Sequence, residues 1–362
     1  MEKELFALLR LGLGNTTAEQ ENQSDFIVLP AAQWAHIGEV AQDQGILGVM
    51  LDGIDCLDAT SYGATRQLSK KQKLEWIGTV LSGYETANMQ QLKVIDAVQR
   101  LWRESGIRMM LMKGMAMGSY YPEPKHRSAG DIDCYLFDDY AKGNETAKAW
   151  ADKVDERWYK HSVISYKGET IENHQYFVHT RDGRNSKRLN QVLVDLLKVE
   201  DFDRLPGTEV LLPPPMFNAV FLTYHALAHF LEEGLRLKQI LDWAMFLKRD
   251  ADKVDWQEFY SICEKFHFRR FADIMTDIAV HYLGVNLKNE EISVSSPYTE
   301  KVLHSTFNDK DYVFNSGKSG WANRWHIVRN LFKYRWKYEE IYQQSVWKQL
   351  WWYAIGYVFK TE

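Results

Sequence analysis

The chain has 362 residues, 45% of them hydrophobic and 26% charged. It is long enough for two or three domains and has the make-up of an ordinary globular protein, not a disordered or fibrous one. A net charge of -5 excludes a surface dedicated to duplex nucleic acid, which would be basic, but leaves room for a local basic groove. No run of 18 apolar residues is present, and the opening MEKELFALLRLGLGN lacks the layout of a signal peptide. The cysteines Cys56, Cys134 and Cys263 are few, far apart and without metal-site spacing, so a reducing cytoplasm is the expected setting.

Residues 1–105 read as a helical N-terminal region. Trp34, Ile37, Val40 and Ala41 share a helix face that Gln44-Gly45 closes. Over 69–104, Leu74, Ile77, Leu81, Tyr84, Asn88, Ile95, Val98 and Trp102 recur at helical steps as one interior stripe, which Ser105-Gly106 ends. Residues 106–205 read as a small mixed sheet with short helices. A first strand runs from Arg108 to Met112, Gly114 permits a tight turn, and a helix follows over 115–121 until Pro122 and Pro124 stop it. The free N–H groups at that helix start make an anion site. Lys125-His126-Arg127 then precede Gly130-Asp131-Ile132-Asp133. On a strand, Asp131 and Asp133 point one way and Ile132 the other. Two adjacent carboxylates repel unless a cation or shared proton relieves them, and an oxygen-only pair suits Mg²⁺ or Mn²⁺.

Asp138-Asp139 cap a helix extending to about Asp155. Strand-like runs follow at 158–165 and 174–179. The basic loop 181–188 leads into Gln191-Val-Leu-Val-Asp-Leu-Leu197, read as a further strand. Asp195 inside that apolar run is costly to bury without a partner. Pro213-Pro214-Pro215 ends a linker, and residues 206–362 read as a helical C-terminal region. His225 and His229 share a helix face, but His-Ala-Leu-Ala-His lacks the Glu of a zincin motif. Packing and contact with a substrate or phosphate are the other readings. Gly317-Lys318-Ser319 is no P-loop, because Tyr312 stands where the first glycine belongs. The tail 318–362 carries eight Lys or Arg against three Glu, together with Trp321, Trp325, Trp336, Trp347, Trp351 and Trp352. Such a tail packs a core with snorkelling cations, stacks on single-stranded bases or sits at a membrane interface.

The order of strand, glycine turn, helix and strand with Asp-x-Asp resembles the nucleotidyltransferase palm of the DNA polymerase β superfamily. Lys113-Gly114, Arg127 and Gly130-Asp131-Ile132-Asp133 are most similar to its uncharacterised bacterial nucleotidyltransferase branch, which reads LKG and then R-x-x-G-D-I-D. The resemblance is specific over roughly 105–200. It implies an α+β fold, a small mixed-sheet palm flanked by N- and C-terminal helical regions. It also implies transfer of a nucleoside monophosphate from a nucleoside triphosphate to an acceptor hydroxyl. Asp131, Asp133 and Asp195 would be the catalytic and metal-binding acids for Mg²⁺ or Mn²⁺, Asp195 lying on a later strand beside the pair. Lys113, Gly114, Arg127 and Gly130 would bind the substrate. Relatives carry Gly-Ser at the turn where this chain has Gly114-Met115, so a phosphate-binding hydroxyl is missing and Ser119 stands too far along to replace it. A catalytically weak palm that binds a nucleotide or partner, and an enzyme acting on RNA ends, are the alternatives. The acceptor is open: RNA, protein, sugar phosphate or another small molecule.

Overall fold

A computed structural model describes residues 2–21, 26, 28–59, 65–179, 183–309 and 320–351. The Gly317-Lys318-Ser319 motif, the start of the basic loop at 181–182, and Trp352 lie outside the described residues. The architecture is mixed α/β, a five-stranded sheet flanked by helices before and after it. The N-terminal helices include α1 (Glu2–Gly12), α2 (Ala31–Asp43), α3 (Leu47–Asp58), α4 (Lys70–Thr79) and α5 (Thr86–Glu104). The C-terminal ones include α9 (Pro215–Glu232) and α10 (Leu237–Asp250), numbered after the short helices α6 (Gly114–Gly118), α7 (Tyr140–Ala147) and α8 (Arg184–Asp195).

The strands are β1 (Met110–Met112), β2 (Ile132–Tyr135), β3 (Lys153–Asp155), β4 (His161–Tyr166) and β5 (Glu169–His174), in the order β1-β2-β5-β4-β3. β2 and β5 are parallel, and every other pair is antiparallel. Alternation divides the sheet into two unlike faces. Leu111, Ile132, Cys134, Ile164 and Ile171 join Val94, Ile95, Val98 and Trp102 of α5 in one apolar cluster. Met110, Met112 and Tyr135 face the other way, into a second core shared by the helices before and after the sheet. That second face also carries Asp133, Glu172, His161 and His174, because the register pairs Asp133 with Glu172 and His161 with His174.

The stripe expected over 69–104 holds at Ile95, Val98 and Trp102, all fully buried, but fails earlier, where Leu74 and Leu81 are exposed and Trp76 and Val80 are buried instead. A π-helical stretch at Val80–Glu85 is the cause. Its wider turns consume more residues each, so the buried face slips back by one position. The strand expected at 174–179 lies earlier, at β5, and the helix expected to reach Asp155 stops at Ala147, ahead of β3. The run Gln191–Leu197 is no strand: it falls in the helix α8 and the residues just past it. In the tail, Tyr338 and Ile341 are buried and Trp336 meets Phe230 edge-on, whereas Trp325, Trp347 and Trp351 are exposed.

Candidate active site

The site begins where β1 leaves the sheet. Lys113 adopts φ 50° and ψ −146°, a region that glycine tolerates and lysine rarely enters, at a cost on the order of 1–3 kcal/mol. Gly114 follows with φ 39°, bringing the turn beside Asp131, whose carbonyl oxygen would lie 3.4 Å from an added Cβ. This strained corner aims the Lys113 ammonium back at the sheet, where Nζ lies 2.7 Å from Asp133 Oδ1. The helix after the turn has only five residues, and Ser119 Oγ donates to its own turn at Ala116 O, 2.7 Å away.

Asp133 is buried and Asp131 is open to solvent. His174 Nε2 sits 2.9 Å from Asp133 Oδ1 and 3.3 Å from Glu172 Oε2, and His161 Nε2 sits 3.4 Å from Glu172 Oε1. Burial by itself would raise Asp133, yet Lys113 and His174 hold it well below the usual carboxylate range. For Glu172, burial is likewise outweighed, chiefly by the His174 hydrogen bond, and its carboxyl is lowered. Asp131, although exposed as a residue, is raised, first by partial desolvation of its carboxyl and then by the charges of Glu172 and Asp133. Three carboxylates thus act on one another across β2 and β5.

His161, Glu172 and His174 offer ligand atoms within 4.8 Å of one another. Glu172 meets the two imidazoles through different oxygens, Oε2 at 3.3 Å from His174 and Oε1 at 3.4 Å from His161. The donor set fits a divalent metal, but it is not the oxygen-only set expected from Asp131 and Asp133. Imidazole nitrogen extends it beyond Mg²⁺ towards Mn²⁺ and later transition metals. His174 Nδ1 is held by Tyr176 O at 3.3 Å, whereas His161 Nδ1 is buried with no hydrogen-bond partner among the described residues.

Opposite the sheet stand α9 and α10. Together they enclose a cleft of about 370 Å³ that includes Lys113, Gly114, Gly130, Asp131 and Asp133 on one side. His225, His229, Arg236, Lys238 and Asp242 face it from the helices. The N-terminal region sets the position of α10: buried Gln44 accepts from the Leu237 backbone N–H at 2.9 Å. Arg127 crosses to α10 and pairs with Asp242 through Nε (2.7 Å) and Nη2 (2.8 Å), while Tyr121 Oη donates to the same carboxylate at 2.8 Å. Lys238 has no such partner among the described residues. Burial first, then the Arg127 charge, pushes it down to about 8.

The structure brings Lys113, Gly114, Arg127, Gly130, Asp131 and Asp133 to one cleft. It does not bring Asp195 there. That residue ends α8 on the exposed side, and its carboxylate pairs with Lys198 at 2.7 Å and Gln191 at 3.1 Å. His126 is tied between Asp52 (2.7 Å) and Glu85 (3.4 Å), and Asn88 donates to the carbonyls of Lys125 and Arg127, both at 2.9 Å, so these residues fasten the loop before Gly130. The sequence reading missed Glu172, His161 and His174. The available signal was Glu172-x-His174, two polar side chains at strand spacing around the buried Ile171 and Asn173.

A search of curated proteins and a search of solved structures each returned no match. A family model described as uncharacterised nucleotidyltransferase matches residues 30–284, which takes in the sheet, the Lys113 turn and both helices across the cleft. With most of its length matched, the chain belongs to that uncharacterised nucleotidyltransferase family.

Proposed function

We propose that the protein is a metal-dependent nucleotidyltransferase with a polymerase β-like palm, moving a nucleoside monophosphate from a nucleoside triphosphate to an acceptor hydroxyl. The observation that carries this reading is the convergence of Asp131, Asp133 and Glu172 on one sheet face, opposite a cleft bearing Lys113 and Lys238. Glu172 takes the place that the sequence reading gave to Asp195. Asp131, Asp133 and Glu172 would hold Mg²⁺ or Mn²⁺, with His161 and His174 beside them. Bound there, such an ion offsets phosphate charge and favours the ionised acceptor oxygen.

The chain's own groups do the rest. Lys113 exchanges Asp133 for a phosphate oxygen as substrate enters, its strained backbone keeping the ammonium in place. Lys238 adds positive charge from α10. Arg127 is engaged by Asp242 and fixes the wall of the cleft more than it grips phosphate. The family supports transfer chemistry, and the acidic site supports metal dependence.

The test is pyrophosphate release from each of the four ribonucleoside triphosphates with Mg²⁺ or Mn²⁺. Labelled triphosphate incubated with cellular RNA, protein and small-molecule fractions would expose the acceptor. Asp131→Asn with Asp133→Asn is expected to abolish Mn²⁺ binding and to cut turnover by about two orders of magnitude or more. Unchanged Mn²⁺ affinity in the folded double variant would sink the assignment.

A further inference from the structure

Three side chains on one face of α9 and its C-cap form a series that the transfer reading has not used. His225, His229 and Glu233 lie at successive four-residue steps, and all three line the cleft with Asp131 and Asp133. His225 Nε2 is 3.1 Å from His229 Nε2, and His229 Nδ1 is 2.9 Å from Glu233 Oε2. The helix end is fixed around them, since the backbone N–H groups of Glu233 and Gly234 both donate to His229 O, at 2.8 and 2.7 Å. This is not a metal cage. His229 spends both ring nitrogens on its neighbours, so the three groups stand in line and do not converge on a point.

The line has a direction. Glu233 is lowered, first by its hydrogen bond from His229, and a carboxylate can only accept. His229 Nδ1 therefore carries hydrogen, and in the neutral ring Nε2 is an acceptor. His225 Nε2 must then be the donor, which leaves His225 Nδ1 as a bare lone pair. No described group hydrogen-bonds that nitrogen. The outer end is open: the Glu233 side chain is 61% exposed.

We propose that His225 is the general base for the acceptor hydroxyl, backed by His229 and Glu233. The proposal rests on the transfer reading above. As the acceptor oxygen bonds to the α-phosphorus, its O–H bond breaks and the proton goes to His225 Nδ1. The His225 Nε2 proton shifts to His229 Nε2, and the resulting imidazolium is balanced by Glu233. Pyrophosphate leaves with the electron pair of the broken P–O bond, and the excess proton passes to water once product has gone. Burial first, then the charges of Lys113 and His229, keeps His225 neutral and, without substrate, a weak base. Lys160 opposes protonation as well and Asp133 favours it. A bound triphosphate offsets the two lysines, so the base strengthens when substrate is present.

The test uses full-length protein labelled with ¹⁵N-histidine, the His225 signals being identified by their loss in His225→Gln. Long-range ¹H–¹⁵N spectra are expected to show His225 protonated at Nε2 and bare at Nδ1, and Glu233→Gln is expected to shift the His225 ring signals. A hydrogen on Nδ1 of neutral His225, or ring signals indifferent to Glu233→Gln, would overturn the base. In turnover, His225→Gln is expected to lose about 10²-fold or more in kcat with triphosphate affinity kept, and His225→Ala to recover in part with added imidazole. A His225→Gln variant turning over like wild type overturns the proposal too. Wild-type protein that releases no pyrophosphate defeats the transfer reading instead, a failure distinct from the wrong tautomer at His225.

Discussion

Two buried ion pairs wall the same cleft, and they are built differently. Asp242 accepts from Arg127 through both oxygens and from Tyr121 as well, with each ionic side chain at most 8% exposed. Asp133 puts a single oxygen, Oδ1, against both Lys113 and His174, and no described protein group bonds its Oδ2. Arg127 sits in relaxed extended backbone at φ −74°, whereas Lys113 is strained at φ 50°. A saturated pair on relaxed backbone ties one element to another. A half-saturated pair on a strained corner is stable enough to fold and loose enough to exchange partners. On the proposed transfer reading the difference separates architecture from chemistry inside one cleft: Arg127 and Asp242 join distant parts of the chain, whereas Lys113 and Asp133 lie on neighbouring elements.

The largest effect expected from breaking this comparison is on folding. Asp242→Asn leaves the Arg127 charge buried without a counter-ion, and the expected loss is about 3–5 kcal/mol of unfolding free energy. Chemical denaturation measures it, and Arg127→Met on top of Asp242→Leu should recover most of the loss. An unchanged midpoint in Asp242→Asn would mean that the pair ties nothing. The next effect is smaller and changes sign with metal. Lys113→Met removes one charged hydrogen bond from Asp133, about 1.5–3 kcal/mol of stability without metal. It should also tighten Mn²⁺, since the ammonium no longer competes for the carboxylate, while weakening triphosphate. Calorimetry with Mn²⁺ alone checks this, and weaker Mn²⁺ binding in the variant would place Lys113 on the structural side of the comparison.

A third effect sharpens the contrast through pH. Lys238 is pushed down to about 8, so its charge is present below pH 8 and fades as pH rises through it. An ordinary lysine would stay charged to about 10.4. Triphosphate affinity is therefore expected to fall by roughly tenfold from pH 7 to pH 9, one pKa unit of linkage. Lys238→Met should be weaker at pH 7 and flat across that range. A wild-type affinity that does not vary with pH would remove Lys238 from the phosphate site.

What the sequence disclosed followed from how local each signal is. Asp131-Ile132-Asp133 was legible because strand alternation alone sends the acids to one side and the isoleucine to the other. Ile132 is indeed buried against α5, and both acids line the cleft. Lys113-Gly114 was legible as a turn, but nothing local announced that Lys113 itself takes the positive φ or that its amine returns to Asp133. The His/Glu/His cluster depends on the parallel pairing of β2 with β5 and the hairpin of β4 with β5, contacts that a linear reading assembles only if each strand is placed correctly. Placing a strand at 174–179 put His174 at the start of the wrong element. The Arg127–Asp242 pair spans more than a hundred residues, and nothing local to either residue announces it.

Asp195 carries the smallest expected effect, and the reason its run reads as a strand is instructive. Val-Leu-Val-Asp-Leu-Leu looks like a buried strand, because a short apolar run has no period of its own. Extended back to Arg184, the same residues show another pattern. Leu189, Leu193 and Leu197 recur every four positions and are buried, while Arg188, Gln191 and Asp195 face out. That is an amphipathic helix with its acid on the wet side. Gln191 and Lys198, four residues before and three after, reach the carboxylate along the helix surface. The Asp195 carboxyl is lowered by the Lys198 hydrogen bond first and by Gln191 next, both of them exposed contacts, and salt screens the Lys198 pair. Asp195→Asn is therefore expected to leave the melting temperature, Mn²⁺ affinity and pyrophosphate release within error of wild type. Glu172→Gln in the same assays should lose metal affinity and turnover. A large loss of turnover in folded Asp195→Asn, with Glu172→Gln unaffected, would reverse the assignment of the third acid and require α8 to move to the cleft when substrate binds.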